Sequence, residues 1–212
     1  MADILQKALN YFIGLPLWEL LAVISALFYV VLAAKENSWC WPAALVSTVI
    51  YTVIFYDVYL WMDALLQIYY LAMAVFGWYC WRKVSPSLNN GVGSDANSSQ
   101  LEIQRWPFIF HVKMIILLTA CSLAIGWLMD NYTPTDFPYL DSGTTVFAVF
   151  ATYLVTKKVL ENWLYWIVID FVSIYLYIEK DLQPTVVLFS LYVVIAMAGY
   201  FIWYGKYQLN NH

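Results

Sequence analysis

The sequence predicts an all-α integral membrane protein with seven transmembrane helices, arranged as two parallel three-helix repeats joined by a linker helix (3+1+3). Three observations predict this fold class: an apolar composition, hydrophobic segments of membrane-spanning length, and an internal repeat. Of the 212 residues, 63% are hydrophobic and 11% are charged, against roughly 45–50% and about 25% in soluble domains. So few charges cannot cover a globular surface in water.

The hydrophobic segments have the length that a membrane requires. Crossing about 30 Å of hydrocarbon takes about 20 residues, within a range of about 17–25. Six segments meet or approach this length: residues 17–34, 39–56, 58–81, 114–129, 163–178 and 185–205. A seventh, 143–156, has only 14 residues.

The distribution of basic residues decides whether segment 143–156 spans. If it does, eight of the ten lysines and arginines lie on one side of the membrane: Lys35, Arg82, Lys83, Arg105, Lys113, Lys157, Lys158 and Lys206. If it does not, the split falls to six against four. The positive-inside rule favours the first arrangement. We therefore predict seven helices in a multi-pass protein, with the amino terminus outside and the carboxyl terminus in the cytoplasm.

These segments divide one transmembrane domain, residues 1–212, into five parts. Apolar residues at helical spacing near the amino terminus predict a short helix in the membrane interface, and the absence of a basic region with a cleavage site predicts no removable signal peptide. A stretch rich in Ser, Asn and Gly predicts a flexible cytoplasmic linker. The predicted parts are an interfacial helix (1–16), repeat one (17–82), a cytoplasmic linker (83–107), a linker helix (108–129) and repeat two (143–205).

An internal repeat decides the architecture. Two stretches 125 positions apart share their residue order: Glu36, Asn37, Trp41 and Pro42, and Glu161, Asn162 and Trp166. In the third helix of each copy the separation is 122: Tyr70, Ala74, Gly77 and Trp81 match Tyr192, Ala196, Gly199 and Trp203. Three helices reverse the direction of the chain and a fourth restores it, so both copies have the same orientation. This is the parallel-repeat plan of SWEET-type transporters, in which substrate lies near the midplane between the halves.

The chain also resembles a known family. The run Glu161, Asn162, Trp163, Trp166, Asp170, Ser173 and Tyr177 is similar to the signature of the PnuC nicotinamide riboside transporters, and Gln67, Tyr70, Gly77, Trp78 and Trp81 resemble its first-repeat counterpart. The resemblance covers all seven helices. It implies a SWEET-like protein of the bacterial inner membrane that carries nicotinamide riboside by facilitated diffusion, a homotrimer, and trapping of the substrate by a cytoplasmic kinase. Close relatives carry thiamine or riboflavin, so these vitamins remain alternatives, as does a sugar.

The sixth predicted helix supplies five candidate site residues. Four of them share one stripe at helical spacing: Asn162, Trp166, Asp170 and Ser173. Lipid cannot satisfy polar groups, so the stripe faces either a cavity or a neighbouring helix, and Asn162 alternatively caps the helix. Asp170 is a functional candidate because it is the only carboxylate in the middle of a predicted helix. It would attract the pyridinium cation, directly or through a neighbouring side chain, or accept hydrogen bonds from Ser or Tyr. Trp163 or Trp166 would stack on that cation, a contact worth about 0.5–2 kcal/mol, or would pack in the core.

The repeat supplies the other candidates. The amide of Gln67 can donate to and accept from ribose hydroxyls, and its counterpart in the second repeat is Phe189. Residues present once would set selectivity: Gln67, Trp163 and Asp170. Residues matched between the repeats would shape the cavity: Asn37 with Asn162, Trp41 with Trp166, and Tyr70 with Tyr192.

Other function classes find little support in the sequence. The net charge of −4 and the absence of a basic face argue against nucleic-acid binding. An intramembrane enzyme would need a nucleophile with a base or a metal cluster, and the chain has no HExxH pattern and only two histidines. We therefore expect no catalytic residues, metal or cofactor. A sensor that does not transport remains possible on sequence alone.

Overall fold

The seven predicted helices are present. The structure is a computed structural model that describes residues 10, 14–57, 61–82, 101–180 and 182–211. In these residues the helices are α1 (Leu17–Ala34), α2 (Cys40–Asp57), α3 (Trp61–Arg82), α4 (Phe108–Tyr132), α5 (Pro138–Thr156), α6 (Asn162–Glu179) and α7 (Gln183–Asn210). They contain 18 to 28 residues, at or above the roughly 17–25 that a transmembrane helix needs. The predicted all-α membrane fold is confirmed.

The doubtful seventh segment is a full-length helix. α5 begins at Pro138 and has 19 residues, whereas the apolar segment was predicted to begin at position 143. The extra turn contains the polar residues Asp141 and Ser142, which a count of apolar residues leaves out. Proline suits the first helical turn because its fixed φ is helical and no N–H is needed there. The distribution of basic residues therefore gave the right number of helices where length alone did not.

Six of the helices form a closed ring. α1 packs on α2, α2 on α3, α3 on α5, α5 on α6, α6 on α7, and α7 on α1, while α4 packs against α5. Replacing each helix of the first half by its counterpart in the second (α1 by α5, α2 by α6, α3 by α7) leaves this order unchanged. The packing therefore agrees with two equivalent three-helix halves and a separate α4.

Four helices of the ring end at the same end of the molecule. The Trp81 Nε1–H near the end of α3 donates to the Val155 carbonyl in the last turns of α5, at 3.1 Å. The Trp203 Nε1–H in α7 donates to the Ala33 carbonyl at the end of α1, also at 3.1 Å. We call this the tryptophan end, defined by Trp41, Trp81, Trp163 and Trp203. Corresponding helices of the two halves thus run the same way, as parallel repeats require.

The structure corrects the alignment of the repeats. The Trp41 ring packs against Gly77, and the Trp163 ring packs against Gly199. Trp41 therefore corresponds to Trp163 at a separation of 122, and the predicted pairing of Trp41 with Trp166 is wrong. A shift of three residues is close to one helical turn, so the sequence match at 125 brought a tryptophan of nearly the same helix face into register.

Two further observations support the separation of 122 along the repeat. The indole rings of Trp41 and Trp81 meet edge to face with centroids 5.3 Å apart, as do those of Trp163 and Trp203 at 5.4 Å. The corrected register also breaks the predicted pairing of Asn37 with Asn162, because position 162 corresponds to Cys40.

Most basic residues lie at the tryptophan end. Of the eight predicted to share one side of the membrane, the structure describes seven at the helix ends and loops there: Lys35, Arg82, Arg105, Lys113, Lys157, Lys158 and Lys206. At the opposite end Lys180 pairs with Asp141 at 3.4 Å. This grouping agrees with the charge asymmetry on which the predicted topology rests.

The predicted interfacial helix and linker lie mostly outside the described residues. Of the linker, residues 101–107 are described and lie against the loop between α5 and α6. The Gln104 N–H donates to the Lys158 carbonyl at 3.0 Å, and the Leu160 N–H donates to the Gln104 carbonyl at 2.9 Å. These contacts fix the approach to α4 at the tryptophan end.

Candidate functional site

A cavity lies inside the ring between the two halves. Its volume is about 300 Å³, at the small end of the roughly 300–1,000 Å³ range of ligand sites. Side chains from all six ring helices line it. It therefore lies where substrate is expected in a protein built from two repeats.

Six of the ten residues predicted for the site line this cavity: Gln67, Tyr70, Trp163, Trp166, Asp170 and Tyr192. They come from α3, α6 and α7, so residues up to 125 positions apart in sequence are brought to one space. The other four lie elsewhere: Asn37, Trp41, Asn162 and Ser173.

The four remaining residues have structural contacts or positions of their own. Asn37 is exposed in the loop before α2, where its Oδ1 accepts from the Trp39 N–H at 2.9 Å. Asn162 is the buried first residue of α6, and its Nδ2 donates to the Val159 carbonyl at 2.7 Å. Trp41 packs among the other tryptophans of the tryptophan end. Ser173 is buried away from the cavity, whereas its counterpart at separation 122, Tyr51, lines it. A helical stripe runs the whole length of a helix, and only its middle reaches the cavity.

Asp170 is the acidic residue among the described residues that line the cavity. The residue is 4% exposed, and no other described residue forms a hydrogen bond or ion pair with its carboxylate. A buried charge without a partner is costly, and polar groups inside a membrane protein are satisfied by the protein, by water or by a ligand. The carboxylate therefore indicates a ligand that carries positive charge or hydrogen-bond donors.

Uncharged polar groups of the cavity wall share this condition, among them the buried Trp163 Nε1–H. Ser47 on α2 and Gln67 on α3 line the cavity, and neither makes a hydrogen bond to another described residue. Together with Asp170 they supply donors and acceptors to a space whose other walls are mostly aromatic and aliphatic. A few polar groups in an apolar cavity is the usual composition of a small-molecule site.

The described residues of the cavity wall carry no positive charge. No lysine or arginine is among them. The nearby Lys158 is at the tryptophan end, where its Nζ lies 2.6 Å from Glu36 Oε1. The cavity therefore favours a cation and disfavours an anionic group such as a phosphate.

Sequence reasoning missed the polar residues that α2 and α5 contribute. Ser47, Thr48 and Tyr51 on α2 line the cavity, as does Thr152 on α5. With Ala44 the three α2 residues form an i, i+3, i+4, i+7 series, the same spacing that identified the stripe on α6. This spacing is visible in the sequence, but hydroxyl side chains can bond to their own helix, as Thr48 does to Ala44, so the spacing alone does not mark a site.

The tryptophan end closes the cavity on one side. All four tryptophans that define the tryptophan end are at most 2% exposed. One of them, Trp163, is also part of the cavity wall. Lys158 Nζ also lies 4.7 Å from the centroid of the Trp81 ring, and Lys206 Nζ lies 3.0 Å from Glu36 Oε2. These contacts cross from one half to the other.

Comparisons with known proteins agree on one family. The profile of the family described as "Nicotinamide mononucleotide transporter" matches residues 16–205. The nicotinamide riboside transporter PnuC of Escherichia coli is 23% identical over 212 aligned positions, which cover 87% of this chain and 84% of that protein. The riboflavin/roseoflavin transporter RibM of Streptomyces davaonensis is 22% identical over 188 positions, covering 88% of this chain and 84% of the relative.

One solved structure has the same fold. A crystal structure of the vitamin B3 transporter PnuC matches with a TM-score of 0.67 and 19% sequence identity, covering 97% of this chain and 88% of that one. The fold is thus shared over nearly the whole chain.

Proposed function

The chain belongs to the nicotinamide mononucleotide transporter family, and we propose that its substrate is nicotinamide riboside, carried across the bacterial inner membrane by facilitated diffusion. Family membership confirms the resemblance found in the sequence, and it confirms a membrane transporter over an enzyme. The family is described by the mononucleotide, whereas relatives of this chain are named for the riboside and for riboflavin, so the choice among these substrates rests on the cavity.

The unpaired carboxylate of Asp170 carries the proposal. Nicotinamide riboside contains a flat, permanently cationic pyridinium ring. Asp170 supplies the opposite charge inside the membrane, where the attraction is little screened. Trp166 lines the same cavity, and its indole face suits a flat cation.

The same charge argues against the mononucleotide. A phosphate monoester adds a charge of about −1.5 to −2 near pH 7, and the described cavity wall offers it no lysine or arginine. Its desolvation would be uncompensated, and Asp170 would repel it. The cavity therefore supports the riboside as substrate in preference to the compound for which the family is named.

Thiamine and riboflavin are the nearest alternatives. Thiamine also carries a cationic ring, so Asp170 alone does not separate it from the riboside. Riboflavin is larger and its ring system is uncharged, so it would leave the carboxylate unpaired. Both serve as competitors in the test below.

Transport would proceed by alternating access. With the basic tryptophan end facing the cytoplasm, as the positive-inside rule indicates, the cavity is closed on the cytoplasmic side. Rocking one half against the other would separate Glu36 from Lys158 and open that side. The cavity offers Asp170 no histidine or second acid as a relay partner among its described residues, which supports uptake driven by the substrate gradient alone. The family resemblance further supports a homotrimer.

Uptake of labelled nicotinamide riboside into proteoliposomes tests the proposal. We expect saturable uptake that needs no proton or sodium gradient and is inhibited by unlabelled riboside more strongly than by the mononucleotide, thiamine or riboflavin. Asp170→Asn and Gln67→Ala should slow uptake. Asp141→Asn is the matched control, because that carboxylate pairs with Lys180 at the far end. Transport of thiamine or riboflavin without the riboside would contradict the proposed substrate.

A further inference from the structure

We propose that the two sides of the cavity divide the substrate between them: α6 and α7 hold the pyridinium ring, while α2, α3 and α5 hold the ribose. The inference rests on the proposed function and adds an orientation to it. It follows from the corrected separation of 122 residues, which identifies the pairs of positions that face each other across the ring.

The first two pairs set α2 against α6. Thr48 corresponds to Asp170, and Ala44 corresponds to Trp166; all four line the cavity. On α6 these positions carry a negative charge and a large aromatic face. On α2 they carry a hydroxyl and a methyl group, which leave more room. The charged, aromatic wall therefore stands opposite a small, polar wall.

Two more pairs of equivalent positions also combine a polar residue with an apolar one. Gln67 on α3 corresponds to Phe189 on α7, and Thr152 on α5 corresponds to Val30 on α1; these four also line the cavity. In both pairs the polar member lies on α3 or α5. Because α3 packs between α2 and α5, the hydroxyl and amide groups of Thr48, Gln67 and Thr152 lie on three successive helices.

The polar side matches the hydrogen-bonding capacity of a sugar. Thr48 Oγ1 donates to the Ala44 carbonyl and Thr152 Oγ1 to the Ala148 carbonyl, each at 2.8 Å. With its hydrogen used in this way, each hydroxyl oxygen remains an acceptor for a ribose O–H. Ser47 Oγ and the Gln67 amide add donors that no other described residue engages. Ribose hydroxyls need both kinds of partner.

The opposite side matches the ring. Trp166 and Phe189 provide aromatic surface, and Asp170 provides the charge and an acceptor for the carboxamide N–H groups. The reverse orientation would place ribose hydroxyls against Phe189 and Val30, where they lose hydrogen bonds to water without replacement. It would also move the cation away from the carboxylate. One orientation therefore satisfies both ends of the molecule.

Two probes separate the two sides in a binding experiment on the full-length protein. Nicotinamide riboside has both parts, and 1-methylnicotinamide has the cationic ring without the ribose. Thr48→Val and Thr152→Val keep the side-chain shape and remove the acceptor. We expect each to weaken riboside binding about 2- to 10-fold, the loss typical of one hydrogen bond, and to leave 1-methylnicotinamide binding unchanged. Asp170→Asn should weaken both probes by similar factors.

Thr52→Val is the matched control. Thr52 lies one turn beyond Thr48 on α2 and makes the same kind of bond, from Oγ1 to the Thr48 carbonyl at 2.7 Å, but does not line the cavity. The Thr52→Val variant should bind both probes with wild-type affinity. Its unfolding temperature shows how much a Thr→Val substitution alone changes the stability of α2.

The outcomes distinguish the orientation from the proposed function. Equal loss of both probes in Thr48→Val and Thr152→Val, loss of the riboside alone in Asp170→Asn, or failure of 1-methylnicotinamide to compete for the wild-type site would each overturn the orientation while leaving the riboside a substrate. If wild-type protein does not bind the riboside, the proposed function itself fails.

Discussion

Glu36 and Lys158 occupy equivalent positions in the two halves, 122 residues apart, and bind each other. Lys158 Nζ lies 2.6 Å from Glu36 Oε1, and both residues have a positive φ, 61° and 51°. Two equivalent residues can touch only near the axis that relates them. The pair therefore marks the centre of the tryptophan end, and its opposite charges turn a symmetric contact into an attraction between the halves.

Breaking this ion pair should destabilise the closed tryptophan end. The Lys158 side chain is 2% exposed, burial lowers its pKa, and Glu36 opposes that effect. Glu36→Gln leaves the cation unpaired, and losing one partner of a buried pair costs roughly 3–5 kcal/mol. That range is an upper bound here, because Glu36 is 16% exposed and the lysine can lose its proton. We expect a lower unfolding temperature in detergent.

The double variant Glu36→Lys with Lys158→Glu is the control for that change. Because the two positions are equivalent, exchanging the charges should recover part of the lost stability. Recovery should be incomplete, since Lys206 now contacts Glu36 and would face a lysine. A double variant no more stable than either single change would argue against a direct pairing.

The two glycines that receive tryptophan rings should not tolerate a methyl group. A Cβ at Gly77 would overlap the Trp41 ring, and one at Gly199 would lie 2.8 Å from the Trp163 ring. Overpacking of this kind costs about 1–3 kcal/mol, so Gly77→Ala and Gly199→Ala should both lower the unfolding temperature. Gly205, in the same helix as Gly199, has nothing within 4 Å of its Cβ position. Gly205→Ala should be neutral or stabilising, and a loss equal to that of Gly199→Ala would refute the packing explanation.

The indole hydrogen bonds between the halves should contribute equally. Trp81→Phe and Trp203→Phe keep an aromatic ring and remove the donor to Val155 or Ala33. Each should cost about 0.5–1.5 kcal/mol for the lost hydrogen bond, because the carbonyls keep a backbone donor: Val155 accepts from the Lys158 N–H and Ala33 from the Glu36 N–H. Thermal unfolding measures the loss of stability in both variants. Trp18→Phe in α1 is the control, because Trp18 is exposed. Very unequal losses would contradict the equivalence of the two halves.

Asn37 should prove dispensable for binding. Its side chain is exposed and serves a turn through Trp39, so Asn37→Ala should cost at most about 1 kcal/mol of stability and leave substrate affinity unchanged. Gln67→Leu, with its side chain in the cavity, should lower affinity instead. Titration of both variants with nicotinamide riboside makes the comparison. Reduced affinity in Asn37→Ala would restore the residue to the site.

The sequence was sufficient for the number of helices and for part of the cavity wall, namely Gln67, Tyr70, Trp163, Trp166, Asp170 and Tyr192. Apolar length identified six helices, and the basic residues identified α5, because topology is set by charge as much as by hydrophobicity. Asp170 and Trp166 were identified because a carboxylate in the middle of a membrane helix has few purely structural explanations.

The register of the repeat could not be read from the sequence alone. Trp163 and Trp166 both match Trp41 in residue type, and the packing of Trp163 against Gly199 and Trp203 decides between them. At a separation of 125, Thr48 does not correspond to Asp170, so the sequence alignment of these helices did not pair the two residues. Register within a helix is set by which side chains fit together, and that is a property of three-dimensional packing.

Calorimetric titration of the purified protein with nicotinamide riboside and nicotinamide mononucleotide tests the central claim most directly. If Asp170 selects a cation in a cavity without positive charge, the riboside should bind at least about tenfold more tightly than the mononucleotide, a difference of about 1.4 kcal/mol. Asp170→Asn should reduce that preference. Equal or tighter binding of the mononucleotide by the wild type, or an unchanged preference in Asp170→Asn, would contradict the account.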